Sequence, residues 1–163
     1  MAETVHLLLK INGAQVQGDS GQRSVGRDGS IECLSFEHGV VSPREAGSGI
    51  AVGRRQYRPI RLRKRIDRAS PVLMQALCNN EVLSGEFRFY RPDPAGNGKT
   101  EQFYTVTIDG AYVESIQQMS EDTLVPGTSN KPPLEEVAIV FRSIRWQHLA
   151  AGTEAEDSWD NNL

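Results

Sequence analysis

Histidine and cysteine are scarce in this chain, and that scarcity excludes much chemistry. Its 163 residues contain three histidines far apart in sequence (His6, His38, His148) and two cysteines (Cys33, Cys78). None has a ligand-type neighbour at metal-site or redox spacing. The expectation is no metal and no cofactor, with each histidine a surface or half-buried strand residue. In a reducing compartment the cysteines read as two buried free thiols. Long apolar runs are also missing. Val5–Leu9 is short and broken by His6, far below the ~20 residues of a membrane span. It lacks a basic leader and a small-residue cleavage site, so no signal peptide and no membrane insertion are expected.

Catalytic patterns fail on inspection. Gly98-Lys99-Thr100 resembles the end of a phosphate loop, but Asp93 stands where a glycine is required and a strand follows. Gly47–Gly53 has its third glycine one place late for a dinucleotide fingerprint. Ser70 lacks a nucleophile-elbow context. No pair of carboxylates presents itself for acid–base work. The chain reads as a non-enzyme.

What is present is β-strand patterning. Val5, Leu7, Leu9 and Ile11 alternate with polar residues, predicting a strand with one buried face. Ile31–Phe36 reads as a second strand, Arg54–Ile66 as a third and Glu86–Arg91 as a fourth. Gln102–Ile116 is a long strand whose register shifts at Asp109-Gly110, predicting a β-bulge. Glu136–His148 reads as one last central strand. Two long loops are expected, Glu37–Gly53 and Ser120–Pro133. Loops of that length inside a compact domain generally have a job. One short helix runs from Ser70 to Asn79, with Ser70 as cap, Pro71 in the first turn and Asp67 near its positive end. Its stripe is Leu73, Met74 and Leu77. Some ten residues are marginal as a helix unless packed on something else. The fold class is mainly β, a sandwich or a closed barrel with one helix against it. Residues 1–149 form a single domain, and residues 150–163 read as a loose acidic tail.

Charge is unevenly placed. Residues Arg54–Arg65 hold seven of the 18 Lys and Arg residues, in a chain of net charge −3. Arg61, Arg63 and Arg65 fall on one strand face. Such a row suits phosphates, carboxylates of a neighbouring copy or of the acidic tail, or plain solvation at a sheet edge. Tyr57 is the one aromatic among these cations, which supports base stacking poorly. Arg54, Arg55, Arg61 and Arg63 are the candidate subunit-contact residues. A basic β-domain binding nucleic acid or another anionic partner is the alternative.

The same region carries a family resemblance. Gly53-Arg54-Arg55, Pro59, and then Lys64-Arg65-Ile66-Asp67-Arg68-Ala69-Ser70-Pro71-Val72-Leu73 look like the hemolysin-coregulated proteins (Hcp) of type VI secretion. The similarity extends through Glu37-His38-Gly39, Phe87–Tyr90, Gln102–Tyr104, Glu135–Trp146 and Asp157-Ser158-Trp159. It implies a β-barrel or two-sheet sandwich with one flanking helix, similar to phage tail-tube proteins. It further implies homohexameric rings stacked into a tube within a contractile sheath, a VgrG-type spike, and small effectors in the lumen. The protein would be made in the cytoplasm and leave through that apparatus without a signal peptide. No nucleic acid is expected as a partner, and no toxin domain after residue 163. Tyr57, Ala69 and Arg65 depart from the usual pattern, Arg65 standing where an acidic residue is frequent.

Overall fold

The computed structural model describes residues 3–160. The strands are β1 (Thr4–Ile11), β2 (Ala14–Val16), β3 (Ile31–Cys33), β4 (Ser35–Glu37), β5 (Val40–Val41), β6 (Gln56–Tyr57) and β7 (Ile60–Arg65). After helix α1 (Ser70–Cys78) come β8 (Leu83–Pro92), β9 (Thr100–Met119), β10 (Leu134–Val140), β11 (Ser143–His148) and β12 (Thr153–Ser158). All pairings are antiparallel, in the order β2-β1-β8-β9-β10-β7-β4, with β11 and β12 alongside β9 and β3 alongside β1.

The 20-residue β9 belongs to two sheets. Its first half pairs with β8 and β11, forming sheet A with β1, β2, β3 and β12; its second half pairs with β10, forming sheet B with β7 and β4. The expected bulge lies between them. Leu83 and Gly85 of β8 face Ala111 and Ile108, so β9 carries one extra residue there. Gly110 has φ 57°, and a Cβ on it would lie 2.9 Å from Cβ of Arg142, so glycine suits the corner. The sheets face each other across Leu7, Leu9, Phe87, Val106 and Ile108 on one side and Ile60, Leu62, Val137 and Ile139 on the other. The hydrogen-bonded ladder does not close into a barrel; the chain itself crosses at Leu34, between β3 on sheet A and β4 on sheet B.

Two strands read as continuous are broken at such crossings. Buried Cys33 and inward Phe36 are three residues apart, as are buried Phe141 and Ile144. Strict alternation would place the second of each pair outside, so each segment turns a corner and changes partner strand. The Glu37–Gly53 loop contains β5, which pairs with β6, and an Arg44–Ala51 bridge, making it a projecting arm. Ser120–Pro133 is a loop as expected. The residue 150–163 segment is not a loose tail over its described part: Thr153–Ser158 pair fully with β11. Residues 161–163 lie outside the described residues. His6 is fully buried, against the expectation of an exposed or half-buried residue. Of the cysteines, Cys33 is buried, its thiol pushed up to about 12 by burial, whereas Cys78 is exposed.

Helix α1 buries Leu73 and Ala76, with Met74 and Leu77 half-buried beside them. Each fully buried leucine side chain contributes roughly 1.5–3 kcal/mol, which is how so short a helix holds. The cap is Ala69, one residue earlier than the expected Ser70, and it makes no side-chain capping bond.

Candidate interaction surface

β7 alternates strictly: Ile60, Leu62 and Lys64 are buried, and Arg61, Arg63 and Arg65 are exposed. Lys64 therefore points into the core. Its register partner on β10 is Glu135, whose partner on β9 is Gln118, so three polar residues form one row across three strands. Lys64 Nζ donates to Glu135 and lies 2.9 Å from Asp67 Oδ1, 3.1 Å from Ser70 Oγ and 3.0 Å from the Arg65 carbonyl. Ser70 donates to Glu135 (2.7 Å) and accepts from the Asp67 amide (2.9 Å). Gln118 donates to the other Glu135 oxygen at 3.0 Å. Burial alone would push the Glu135 carboxyl up, but hydrogen bonds from Lys64, Ser70 and Gln118 outweigh it and hold it below its ordinary value. Asp67, Ser70 and Pro71 lie where β7 gives way to α1. Ser70 ties the start of α1 to a buried ion pair. The sequence counts Lys64 with the other cations of the basic strand; its buried position and its partner Glu135, 71 positions away, have no local signal.

The four candidate arginines separate into two pairs. Arg55 donates to the Asp157 carboxylate and, at 2.7 Å, to the Ser158 carbonyl; Arg54 donates to the Trp159 carbonyl at 2.9 Å. The Tyr57 hydroxyl also donates to Asp157, and its ring packs edge-on against Trp159 and Phe141. These groups fasten the base of the arm to β12 of the same chain. Arg54 and Arg55 are correspondingly engaged at home, and Tyr57 is not poised for stacking on a base. Among the described residues, Arg61 has one ion pair, a long contact to Glu136 at 3.8 Å. Arg63 and Arg65 have no ion pair among the described residues.

The arm stands near this row in sequence, turns at 46–49 and carries exposed apolar side chains on its returning side. Ile50 and Val52 are 63% and 62% exposed, and Glu45 N donates to the Ile50 carbonyl (2.8 Å) to shape the tip. Among the described residues no group of three or more His, Cys, Asp or Glu converges as a metal site would require, and no helix is long and apolar enough to cross a membrane.

The described residues form a two-sheet antiparallel β-domain with one docked helix, an outer row of basic side chains on β7 and an arm carrying exposed Ile50 and Val52. The comparisons with known proteins carry this to a family. The model of the type VI secretion system effector Hcp matches residues 8–148, and the chain belongs to that family. It is 33% identical over 135 residues to the major exported protein of Pseudomonas aeruginosa PAO1, covering 82% of this chain and 77% of that one. Among solved structures, an Hcp protein crystal structure superposes with TM-score 0.85 at 22% identity, covering 99% of this chain and 100% of the other. The Hcp1 protein of Escherichia coli EAEC 042 superposes with TM-score 0.82 at 26% identity, covering 97% and 99%. It is a family of secreted proteins rather than a known enzyme family.

Proposed function

We propose that this chain is a tube subunit of a type VI secretion machine. Six copies close head to tail into a ring, and rings stack into a tube inside a contractile sheath, under a VgrG-type spike, with small effectors carried in the lumen. A ring of this kind needs two different, complementary faces on each subunit. The observation that carries the reading is the outer face of β7, where Arg63 and Arg65 lack ion pairs among the described residues while Arg54 and Arg55 are engaged within the chain. Arg61 and Arg63 are the residues proposed to meet carboxylates of the next copy. The arm, with its exposed Ile50 and Val52, reaches the next subunit or the next ring. Asp67, Ser70 and Pro71 hold the hinge from which β7 presents that face.

Native mass spectrometry of the purified protein at low and moderate salt tests this, supported by negative-stain images. Rings of six subunits that loosen as salt rises are expected. Compact monomers throughout, or rings indifferent to salt, would contradict the role given to the arginines. A gel shift with salt titration separates the anion-binding alternative, for which tight and salt-steep binding of nucleic acid is required.

A further inference from the structure

Residues 17–30, between β2 and β3, lie across the outer face of sheet A over β1 and β8. The neck of this loop is pinched by backbone bonds from Gly18 N to the Gly29 carbonyl (2.9 Å) and from Ser20 N to the Ser30 carbonyl (3.2 Å). Gly18 is required there, because a Cβ would stand 2.4 Å from the Ser30 oxygen. The body of the loop rests on side chains of β8. The Tyr90 hydroxyl donates to the Val25 carbonyl at 2.9 Å, the Arg27 guanidinium lies 4.9 Å from the Tyr90 ring centre, and Arg88 reaches the Gly26 carbonyl at 3.4 Å.

His6 lies beneath the loop, with 0% of its surface exposed. Its Nδ1 is 2.9 Å from Ser30 Oγ and 3.4 Å from Ser20 Oγ, both hydroxyls of the loop. Its Nε2 is buried and has no hydrogen-bond partner. A neutral imidazole has one donor nitrogen and one acceptor; a protonated one has two donors and a charge. Protonation here would place a positive charge in a site cut off from water, which is costly. Every element around the ring has a say. Glu32 on β3 and Arg88 on β8 are its register partners, Tyr90 meets it edge-on at 5.5 Å, and Arg27, Gln22, Ser20 and Ser30 face it from the loop. Burial, the largest influence, disfavours the cation, as does Arg27; Glu32 and Gln22 favour it, and the balance leaves the ring titrating below its ordinary 6.5.

We propose that residues 17–30 form an acid-released flap, seated on neutral His6 and lifted when His6 takes up a proton. Lifting uncovers Tyr90 and lengthens the open groove of about 510 Å³ that Arg88 borders with Leu8, Lys10, Glu86 and Thr107. The closed flap binds the proton less well than the open one. Closure is therefore strongest above pH 6.5 and weakens as pH falls below it, by up to about tenfold in the opening constant per pH unit.

Hydrogen exchange of the intact protein between pH 7.5 and 5, corrected for the intrinsic pH dependence, reads the flap directly. Amides of Ser20–Ser30 are expected to lose protection by up to about tenfold per unit below pH 6.5 while β1 and β8 keep theirs. His6→Gln, which can still hydrogen-bond Ser30 but cannot ionise, should remove the pH dependence. Should that variant not fold, NMR titration of His6 in the unaltered protein serves instead: it should titrate below 6.5, and Glu32→Gln should move it lower. Flap protection that ignores pH, equal loosening in His6→Gln, or a His6 titrating at or above 6.5 overturns the proposal.

Discussion

On the inner face of β7, Lys64 reaches two carboxylates, a hydroxyl and a carbonyl of its own chain; one position to either side, on the outer face, Arg63 and Arg65 have no ion pair among the described residues. The difference follows from solvent. A buried ammonium costs several kcal/mol unless its partners are complete. An exposed guanidinium is already solvated, and a surface pair would add at most about 1 kcal/mol. Inside, satisfaction is compulsory, and the network fixes where β7 ends and α1 begins. Outside, Arg63 and Arg65 are held by no ion pair among the described residues. A count of basic residues along the sequence cannot separate these two roles, but the burial seen along the strand does.

Breaking the inner side should have the largest effect. Lys64→Ala leaves Glu135 charged, buried and deprived of its cation, and should cost about 3–5 kcal/mol, read as a fall in Tm and in the urea midpoint. Lys64→Met combined with Glu135→Leu should recover much of that loss, because removing both charges also removes their desolvation. Acid should act next. With the Glu135 carboxyl held below its ordinary value, its stabilisation is present above about pH 4.5 and fades as pH falls through the folded value. Urea midpoints from pH 7 to 3 should then show Glu135→Gln less stable than the parent at pH 7, with the gap closing in acid.

The C-terminal strand should give a smaller, local effect. Asp157→Asn weakens the grip of Arg55 and Tyr57 on β12, so β12 amides should exchange faster and Trp159 emission should shift, with the Tm falling less than in Lys64→Ala. The outer face should matter least to the folded subunit. Arg61→Glu with Arg63→Glu places like charges near Glu37 and Glu136, the register neighbours of these arginines, and should cost at most about 1 kcal/mol.

Much of the fold was legible where a strand keeps one period. The β1 face, the β7 alternation, the β9 bulge and the single helix all follow from spacing and glycine placement. The two corners were not, because a strand that changes sheets preserves its hydrophobic density while losing one step of alternation; Cys33–Phe36 and Phe141–Ile144 each look continuous until their partners are known. β12 was missed because Thr153–Ser158 has no apolar face: it is held by backbone pairing and by Asp157, and neither has a local signature. The basic strand was visible as the place of interest. The division of its arginines was not, since Arg54 and Arg55 find their partners more than 100 positions away.

Native mass spectrometry of Arg61→Glu/Arg63→Glu beside the unaltered protein, at equal concentration and low salt, tests most directly whether the outer face of β7 is kept for a neighbouring copy. Six-subunit rings for the unaltered protein and a large shift to folded monomers for the variant, its Tm nearly unchanged, are expected. Rings equally abundant in both would contradict that assignment.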